Sequence, residues 1–227
     1  MKDLIPEVAV SESHYEEAHS VKELESFLQG VRSQEVLALA IAAFQPEEGE
    51  SESIEDAMLP LTSYEAPPQK FSEIAISTSP GTATTISAER TEVREKLAEK
   101  LRERKIPISI HDYKSAVHAL HTQGIEIGDV AHDPMLYSYL LDPTYTSHKL
   151  PEVALRRFNM KLSGAVAEAA DVTGRLTTIL RQEVEQAGLL KLYEEMDLPL
   201  VPVLARMEDA GVKIDRAALR EMSSRLE

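Results

Sequence analysis

The sequence predicts an α/β fold in which a mixed β-sheet is flanked by helices. Short apolar segments of strand length alternate with longer segments of helical period along most of the chain. Two strand segments, residues 71–77 and 82–87, are joined by Ser79-Pro80-Gly81, a turn sequence that indicates an antiparallel hairpin. A hairpin among strands that alternate with helices predicts a sheet of mixed strand direction.

The first predicted elements are an acidic lead-in and a helix. Residues 1–20 contain few large apolar side chains and are expected to form a loose segment. A helix is predicted from Val21, because Leu24 and Phe27 are spaced to share one face and Gly30 is a typical stop signal.

A continuous apolar run over residues 36–44 predicts a buried central strand, since it is too short for a typical helix. Residues 45–70, which include Pro67-Pro68, are rich in Glu and Ser and cannot bury much apolar surface. They are expected to form a flexible acidic loop, after which the hairpin begins.

The segment after the hairpin, residues 91–104, has a helical pattern with Val93, Leu97 and Leu101 on one stripe. Basic side chains collect at its end, where cations suit the helix dipole, namely Arg102, Arg104 and Lys105. We interpret them as a solvated helix face, with a phosphate-contacting patch as the alternative.

Residues 107–110 predict a further strand, and residues 113–123 predict a helix that stops at Gly124. Asp133-Pro134 predicts the start of the next helix, because Asp is a good N-cap and Pro is tolerated at the first helical position.

The last third of the chain is predicted to be helical. One helix covers residues 164–186, and a second covers residues 193–209 and ends at Gly211. Asp215 caps a last helix that reaches Glu227 without a stop signal, which favours a fragment of a larger protein.

The bulk composition limits the class of protein. The 227 residues suffice for one sizeable domain, or for one domain and part of a second. The net charge of −15 argues against a self-sufficient DNA-binding module, because affinity for nucleic acid depends on Lys and Arg that neutralise phosphates. The chain has no cysteine and no apolar run of membrane-spanning length, which favours a soluble cytoplasmic protein.

Several segments resemble the 3′–5′ exonuclease domain of bacterial family A DNA polymerases. Residues 111–116, His-Asp-Tyr-Lys-Ser-Ala, are similar to the second exonuclease motif, and residues 133–142 look like the segment that follows it in the family. Residues 170–173 match the end of the third motif. Residues 196–204 and 211–215 resemble the start of the polymerase thumb, and their order of residues is the most specific signal in the chain.

The resemblance implies a ribonuclease H-like fold followed by the first thumb helices. On this basis we expect a lead-in over residues 1–20, an exonuclease-like domain over 21–190 and the beginning of a polymerase domain over 191–227. In the family, four carboxylates hold two divalent ions for nuclease chemistry, since Mg²⁺ prefers oxygen ligands. The resemblance also implies a monomer that meets a DNA primer-template through an attached polymerase domain, whose cofactor would be Mg²⁺.

The nuclease pattern is broken in this chain. Ala40 and Ala42 occupy the positions of the Asp and Glu of the first motif, and Ala116 that of the Asp of the second. In the third motif, Ala165 stands at the tyrosine and Ala169 at the Asp. A methyl group cannot ligate a metal ion, so we expect no catalytic residue, no metal and no cofactor at this site, and a domain kept as a scaffold.

Three other interpretations remain open. An active exonuclease could use displaced ligands, for which the candidates are Asp112, Asp133, Glu168 and Asp171. His118 and His121, three apart on a predicted helix, are compatible with a metal clip, although a surface or packing role is favoured. The chain could also be a stand-alone interaction module, and the alanines could be engineered.

Overall fold

The computed structural model describes residues 13–29, 36–43, 71–103, 106–128 and 130–226. The predicted acidic loop over residues 45–70 lies outside this range, as do the predicted stop at Gly30 and the basic residues Arg104 and Lys105.

The strands in the described part of the chain form one mixed sheet, as predicted. Their bounds are β1 (His14–Glu17), β2 (Leu37–Ala43), β3 (Phe71–Ser79), β4 (Thr82–Ser87), β5 (Ile108–Ile110) and β6 (Val130–His132). The order across the sheet is β1-β4-β3-β2-β5-β6. The pairs β2–β3 and β3–β4 are antiparallel, and the other neighbours are parallel. β2, the predicted central strand, therefore lies between β3 and β5.

Helices cover this sheet and continue beyond it. Their bounds are α1 (Val21–Gln29), α2 (Thr91–Arg102), α3 (Tyr113–His121), α4 (Pro134–Leu141), α5 (Leu150–Phe158), α6 (Val166–Gln186), α7 (Leu190–Leu192), α8 (Leu198–Ala210) and α9 (Arg216–Leu226). Residues Tyr193–Asp197 form a π-helical turn between α7 and α8. α6 packs across β2 and β3, α4 and α5 pack on α6, and α8 packs on α3.

Local signals in the sequence explain several element boundaries. Asp133 caps α4 as predicted, since its side chain accepts a hydrogen bond from the backbone N–H of Met135. Gly81 in the hairpin turn and Gly124 after α3 both have positive φ, 79° and 69°, which glycine adopts without strain. Asp215 accepts hydrogen bonds from the N–H groups of Ala217 and Ala218 and caps α9.

Two short strands were not predicted. The prediction of a loose lead-in over residues 1–20 is wrong for residues 14–17, which form the edge strand β1. All four side chains of β1 are exposed, and its backbone pairs with β4, so no apolar pattern marks it. β6 has only three residues, too few to show a strand period.

The predicted boundary between residues 190 and 191 does not coincide with a break in packing. Tyr193 is fully buried beside α6, and Val201 and Ala205 of α8 belong to the main core under the sheet. Continuous packing ends near Ala210, because the described side chains from Gly211 onwards are exposed.

Candidate functional site

The first predicted site positions lie on the central strand. Ala40 and Ala42 are partly buried on β2 and pack against a cluster of small apolar side chains from β3, β4 and α6, which we term the alanine cluster. Its buried members are Ala75, Ala83, Val166, Ala167 and Ala170. This surface offers methyl groups at the positions where the resemblance places two carboxylates.

The third motif reaches the same place through α6. Ala165 is exposed and immediately precedes α6, and Ala169 is half-buried one turn into the helix. Because Val166, Ala167 and Ala170 belong to the alanine cluster, the first turns of α6 lie beside Ala40 and Ala42. The fold therefore brings together the positions that the resemblance assigns to the first and third motifs.

Ala116 of the second motif is placed in a neighbouring cluster. It is buried on α3, where it packs in the main core with Val117 and Leu120. At each of the three motifs, the side chain present is a methyl group with no oxygen to offer a metal ion.

The interface between α6 and the sheet is unusually close. A Cβ placed on Gly174 would lie 3.2 Å from the Cβ of Ala38 on β2, so the helix approaches the strand where both side chains are minimal. Beside this contact, the hydroxyl groups of Ser109 and Thr177 are 2.5 Å apart, and Thr177 donates to the carbonyl oxygen of Thr173 at 2.8 Å. Because the hydrogen of Thr177 goes to Thr173, the hydroxyl of Ser109 donates to that of Thr177, and the buried pair forms a short chain of hydrogen bonds.

Asp133, one candidate for a displaced ligand, is engaged by backbone donors. Its carboxylate accepts hydrogen bonds from the N–H groups of Asp112 at 3.1 Å, Tyr113 at 2.9 Å and Met135 at 2.8 Å. Burial raises the pKa of Asp133 to about 7, and the three N–H donors act in the opposite direction. The side chain joins the starts of α3 and α4, which is a structural role.

Two more candidates for displaced ligands, Asp171 and Glu168, also accept hydrogen bonds from nearby groups. Asp171, buried on α6, accepts a hydrogen bond from the N–H of Gly81 at 2.8 Å and one from the hydroxyl of Tyr15 at 3.0 Å. Glu168 accepts from the N–H and hydroxyl of Ser163, both at 2.6 Å. Within the described residues, no group of three or more His, Asp or Glu side chains is arranged to hold a metal ion.

Asp112 caps α3 rather than facing the alanine cluster. Its side chain accepts from the N–H of Ser115 at 3.3 Å, and its backbone adopts the left-handed conformation with φ 59°. This candidate for a displaced ligand therefore serves as a helix cap.

His118 and His121, which the sequence left open as a metal clip while favouring a surface or packing role, have different surroundings. His118 lies between two carboxylates of α8, with Nε2 2.9 Å from Glu208 and Nδ1 2.9 Å from Asp209. His121 is exposed. Sequence pattern could not reveal the partners of His118, since they lie about 90 residues away.

The sheet order and the helices placed on it define a ribonuclease H-like fold of the 3′–5′ exonuclease class. The solved structure of the POL domain of Pol1 from M. smegmatis, in complex with DNA primer-template and dNTP, superposes with a TM-score of 0.71 at 24% identity, covering 92% of this chain and 34% of that one. Escherichia coli RNase D, an exoribonuclease, superposes with a TM-score of 0.66 at 13% identity, covering 86% of this chain and 51% of that one.

Sequence comparison gives a narrower result. Residues 66–165 match the family described as DNA polymerase I, ribonuclease H-like domain. The thermostable DNA polymerase I of Thermus thermophilus is 42% identical over 96 residues, which are 42% of this chain and 11% of that protein. These matches confirm the resemblance to the 3′–5′ exonuclease region of bacterial DNA polymerase I, a family A polymerase. The chain spans about a tenth of the length of such relatives.

Among the described residues, no helix is both long enough and apolar enough to cross a membrane.

Proposed function

We propose that this chain is part of a DNA-directed DNA polymerase of the DNA polymerase I type, and that its exonuclease-like domain is a non-proofreading scaffold. One observation carries the proposal. Ala40 and Ala42, which the resemblance assigns to the first-motif carboxylate positions, pack against the alanine cluster beside α6. The same resemblance assigns Ala116 and Ala169 to the remaining two carboxylate positions of the family.

The residues present do not fit the metal pair that the family resemblance implies. Mg²⁺ and Mn²⁺ need oxygen ligands in a fixed geometry, and two-metal hydrolysis needs both an activated water and a stabilised leaving oxygen. The alanine cluster supplies neither. We therefore derive no hydrolytic step at this site, and we expect no divalent ion to bind there.

The loss of carboxylates is physically consistent with a scaffold. Carboxylates that converge without a metal ion repel one another and lose hydration on burial, so replacing them with alanine relieves the folded state of that cost. In this proposal residues 21–190 form the platform, and residues 191–227 begin the polymerase thumb.

The outer face of α8 and of the π-helical turn before it supports a role as a packing platform. Met196 of that turn and Leu200, Val203 and Met207 of α8 recur at alternating spacings of four and three residues, and all four are at least 39% exposed. Such an apolar stripe on a helix is typical of a surface that packs against another element. We assign this stripe to contact with the polymerase domain that would follow in the longer protein.

Contact with a DNA primer-template belongs, in this proposal, to the attached polymerase domain, which would use Mg²⁺. The net charge of −15 supports this assignment, because the chain has few cations to spare for phosphates. We further expect a monomer that functions in DNA replication and repair in the cytoplasm.

The test is a nuclease assay on a single-stranded oligonucleotide labelled at its 3′ end. The purified chain is incubated with Mg²⁺ or Mn²⁺, with EDTA as the control. We expect nucleotide release equal to the control. Metal-dependent release that follows the protein through purification and is lost in Asp133→Asn or Asp171→Asn would overturn the proposal in favour of an exonuclease with displaced ligands.

A further inference from the structure

A cluster of charged side chains connects α3 with α8. Lys114 Nζ lies 2.6 Å from a carboxylate oxygen of Glu208, and the other oxygen of Glu208 lies 2.9 Å from Nε2 of His118. Nδ1 of His118 lies 2.9 Å from the carboxylate of Asp209. Two side chains of one helix thus contact two adjacent carboxylates of the other.

Both ring nitrogens of His118 face a carboxylate. A carboxylate offers only acceptors, so each contact is satisfied when the nitrogen concerned carries a hydrogen. Nε2 lies 2.9 Å from Glu208 and Nδ1 lies 2.9 Å from Asp209, so the two contacts tie α3 to two adjacent residues of α8.

The arrangement also argues against a metal site. A metal ion would need the imidazole and the carboxylates to converge on one point, whereas each carboxylate here meets a different nitrogen of His118. The positive charge in the cluster comes from a side chain, that of Lys114, and not from a metal ion.

The same contact also has an apolar part, since Val201 and Ala205 of α8 are buried in the main core beside α3. The neighbouring strand β2 consists of Leu, Ala and Ile and places no titratable group against α3. Of the other charged residues on these two helices, Arg206 donates to the carbonyl oxygen of Pro202 on α8 itself, and His121 is exposed.

We propose that Lys114, His118, Glu208 and Asp209 form an electrostatic latch, which helps to hold α8 on α3 and weakens when its charges are screened or removed. Glu208 is suited to this role, because Lys114 and then His118 lower the pKa of its carboxyl group. Ionised Glu208 is therefore the centre of the latch, with Lys114 at one carboxylate oxygen and His118 at the other.

The position of the latch gives it a consequence for the rest of the chain. The described side chains of α9 are all exposed, so α8 is the last helix that packs on the sheet-bearing body. Loosening α8 would free both helices to change their angle to that body. This inference concerns contacts within the chain and stands whether or not the scaffold proposal holds.

The test is backbone amide hydrogen exchange of residues 198–210 in the whole chain, at one pH and at low and high salt. We expect protection to fall roughly two- to five-fold at high salt, which screens the charges, the range expected for losing a surface ion pair.

Variants separate the latch from a general effect of salt. Lys114→Gln and His118→Gln should each show low protection of α8 at low salt and little further fall at high salt, while their far-ultraviolet circular dichroism stays that of a folded chain. His121→Gln, on the same helix and exposed, should behave like the unmodified chain. Protection equal to that of the unmodified chain in both Lys114→Gln and His118→Gln at low salt would overturn the proposal.

Discussion

The hydroxyl of Tyr193 accepts a hydrogen bond from the backbone N–H of Asp133 at 2.8 Å and donates one to the carbonyl oxygen of Ala131 at 3.2 Å. The ring of Tyr193 also packs against that of Tyr137 at a tilt of 38°, with 4.3 Å between the ring centroids. Both tyrosines are fully buried. The π-helical turn that begins at Tyr193 is thereby joined to the end of β6 and the start of α4, about 60 residues earlier.

Tyr193→Phe tests the contribution of this hydroxyl. The change keeps the ring and leaves the buried N–H of Asp133 without its acceptor, so we expect a loss of about 1–3 kcal/mol in the free energy of unfolding, measured by urea denaturation. Tyr139→Phe is the matched control, because Tyr139 is 53% exposed, and it should change stability by less than about 0.5 kcal/mol. Equal effects of the two changes would show that the hydroxyl of Tyr193 is not a structural link.

Asp171→Ala tests whether this carboxylate is structural. The change leaves the N–H of Gly81 and the hydroxyl of Tyr15 without their acceptor, and hydrogen bonds to a charged group contribute about 1.5–3 kcal/mol each. We expect the free energy of unfolding to fall by at least the contribution of one such hydrogen bond, and by the same amount in Mg²⁺ and in EDTA. Glu185→Ala, an exposed position on the same helix, should have little effect. A stability loss seen only in Mg²⁺ would instead indicate a metal ligand.

The elements with strong local signals could be predicted from the sequence. The hairpin of β3 and β4 has a turn sequence between two strand segments, and α4 has both a cap and a proline at its start. β1 could not be predicted, because its stability comes from backbone pairing with β4 and from the bond between Tyr15 and Asp171. These contacts join residues that are distant in the sequence, and no local pattern encodes them.

The candidate site followed from a resemblance and not from residue chemistry. Alanines on a strand and a helix are ordinary core residues, and only the family pattern identifies Ala40, Ala42 and Ala169 as positions where carboxylates are missing. The structure adds the alanine cluster around the first two of these and the placement of Ala116 in a separate cluster. The contact of His118 with α8 escaped prediction, because it depends on how α8 crosses α3.

Stability should depend on pH through His111. Burial lowers the pKa of His111 to about 4, although its Nε2 is hydrogen bonded to the carbonyl oxygen of His148. Between pH 6.5 and about 4 the unfolded chain binds more protons than the folded chain at this residue. The contribution of neutral His111 to the free energy of unfolding is therefore fully present above pH 6.5, and it is lost as the pH falls towards about 4.

His111→Gln should flatten this dependence. Glutamine stays neutral and can still donate to His148, so urea denaturation across the same pH range should show a smaller loss of stability on acidification. Part of the slope should remain, because burial also lowers the pKa of His132 to about 4. His121→Gln, at an exposed position, should keep the full slope. A slope unchanged in His111→Gln would contradict the assignment.

Restoring the carboxylates tests the degenerate site directly. The restored chain carries four changes, Ala40→Asp, Ala42→Glu, Ala116→Asp and Ala169→Asp. Without metal, repulsion among the new charges should lower the melting temperature below that of the unmodified chain. Saturating Mg²⁺ or Mn²⁺ should then raise it by about 5–10 °C, because an ion that binds only the folded state stabilises that state. The matched control carries Asn or Gln at the same four positions. Its melting temperature should respond to neither ion, since a neutral amide lacks the negative charge that attracts a divalent ion.

The unmodified chain should also melt at one temperature with and without metal. A metal-dependent melting temperature in the unmodified chain would mean that ligands other than the four lost carboxylates bind the ion, and the scaffold proposal would fail.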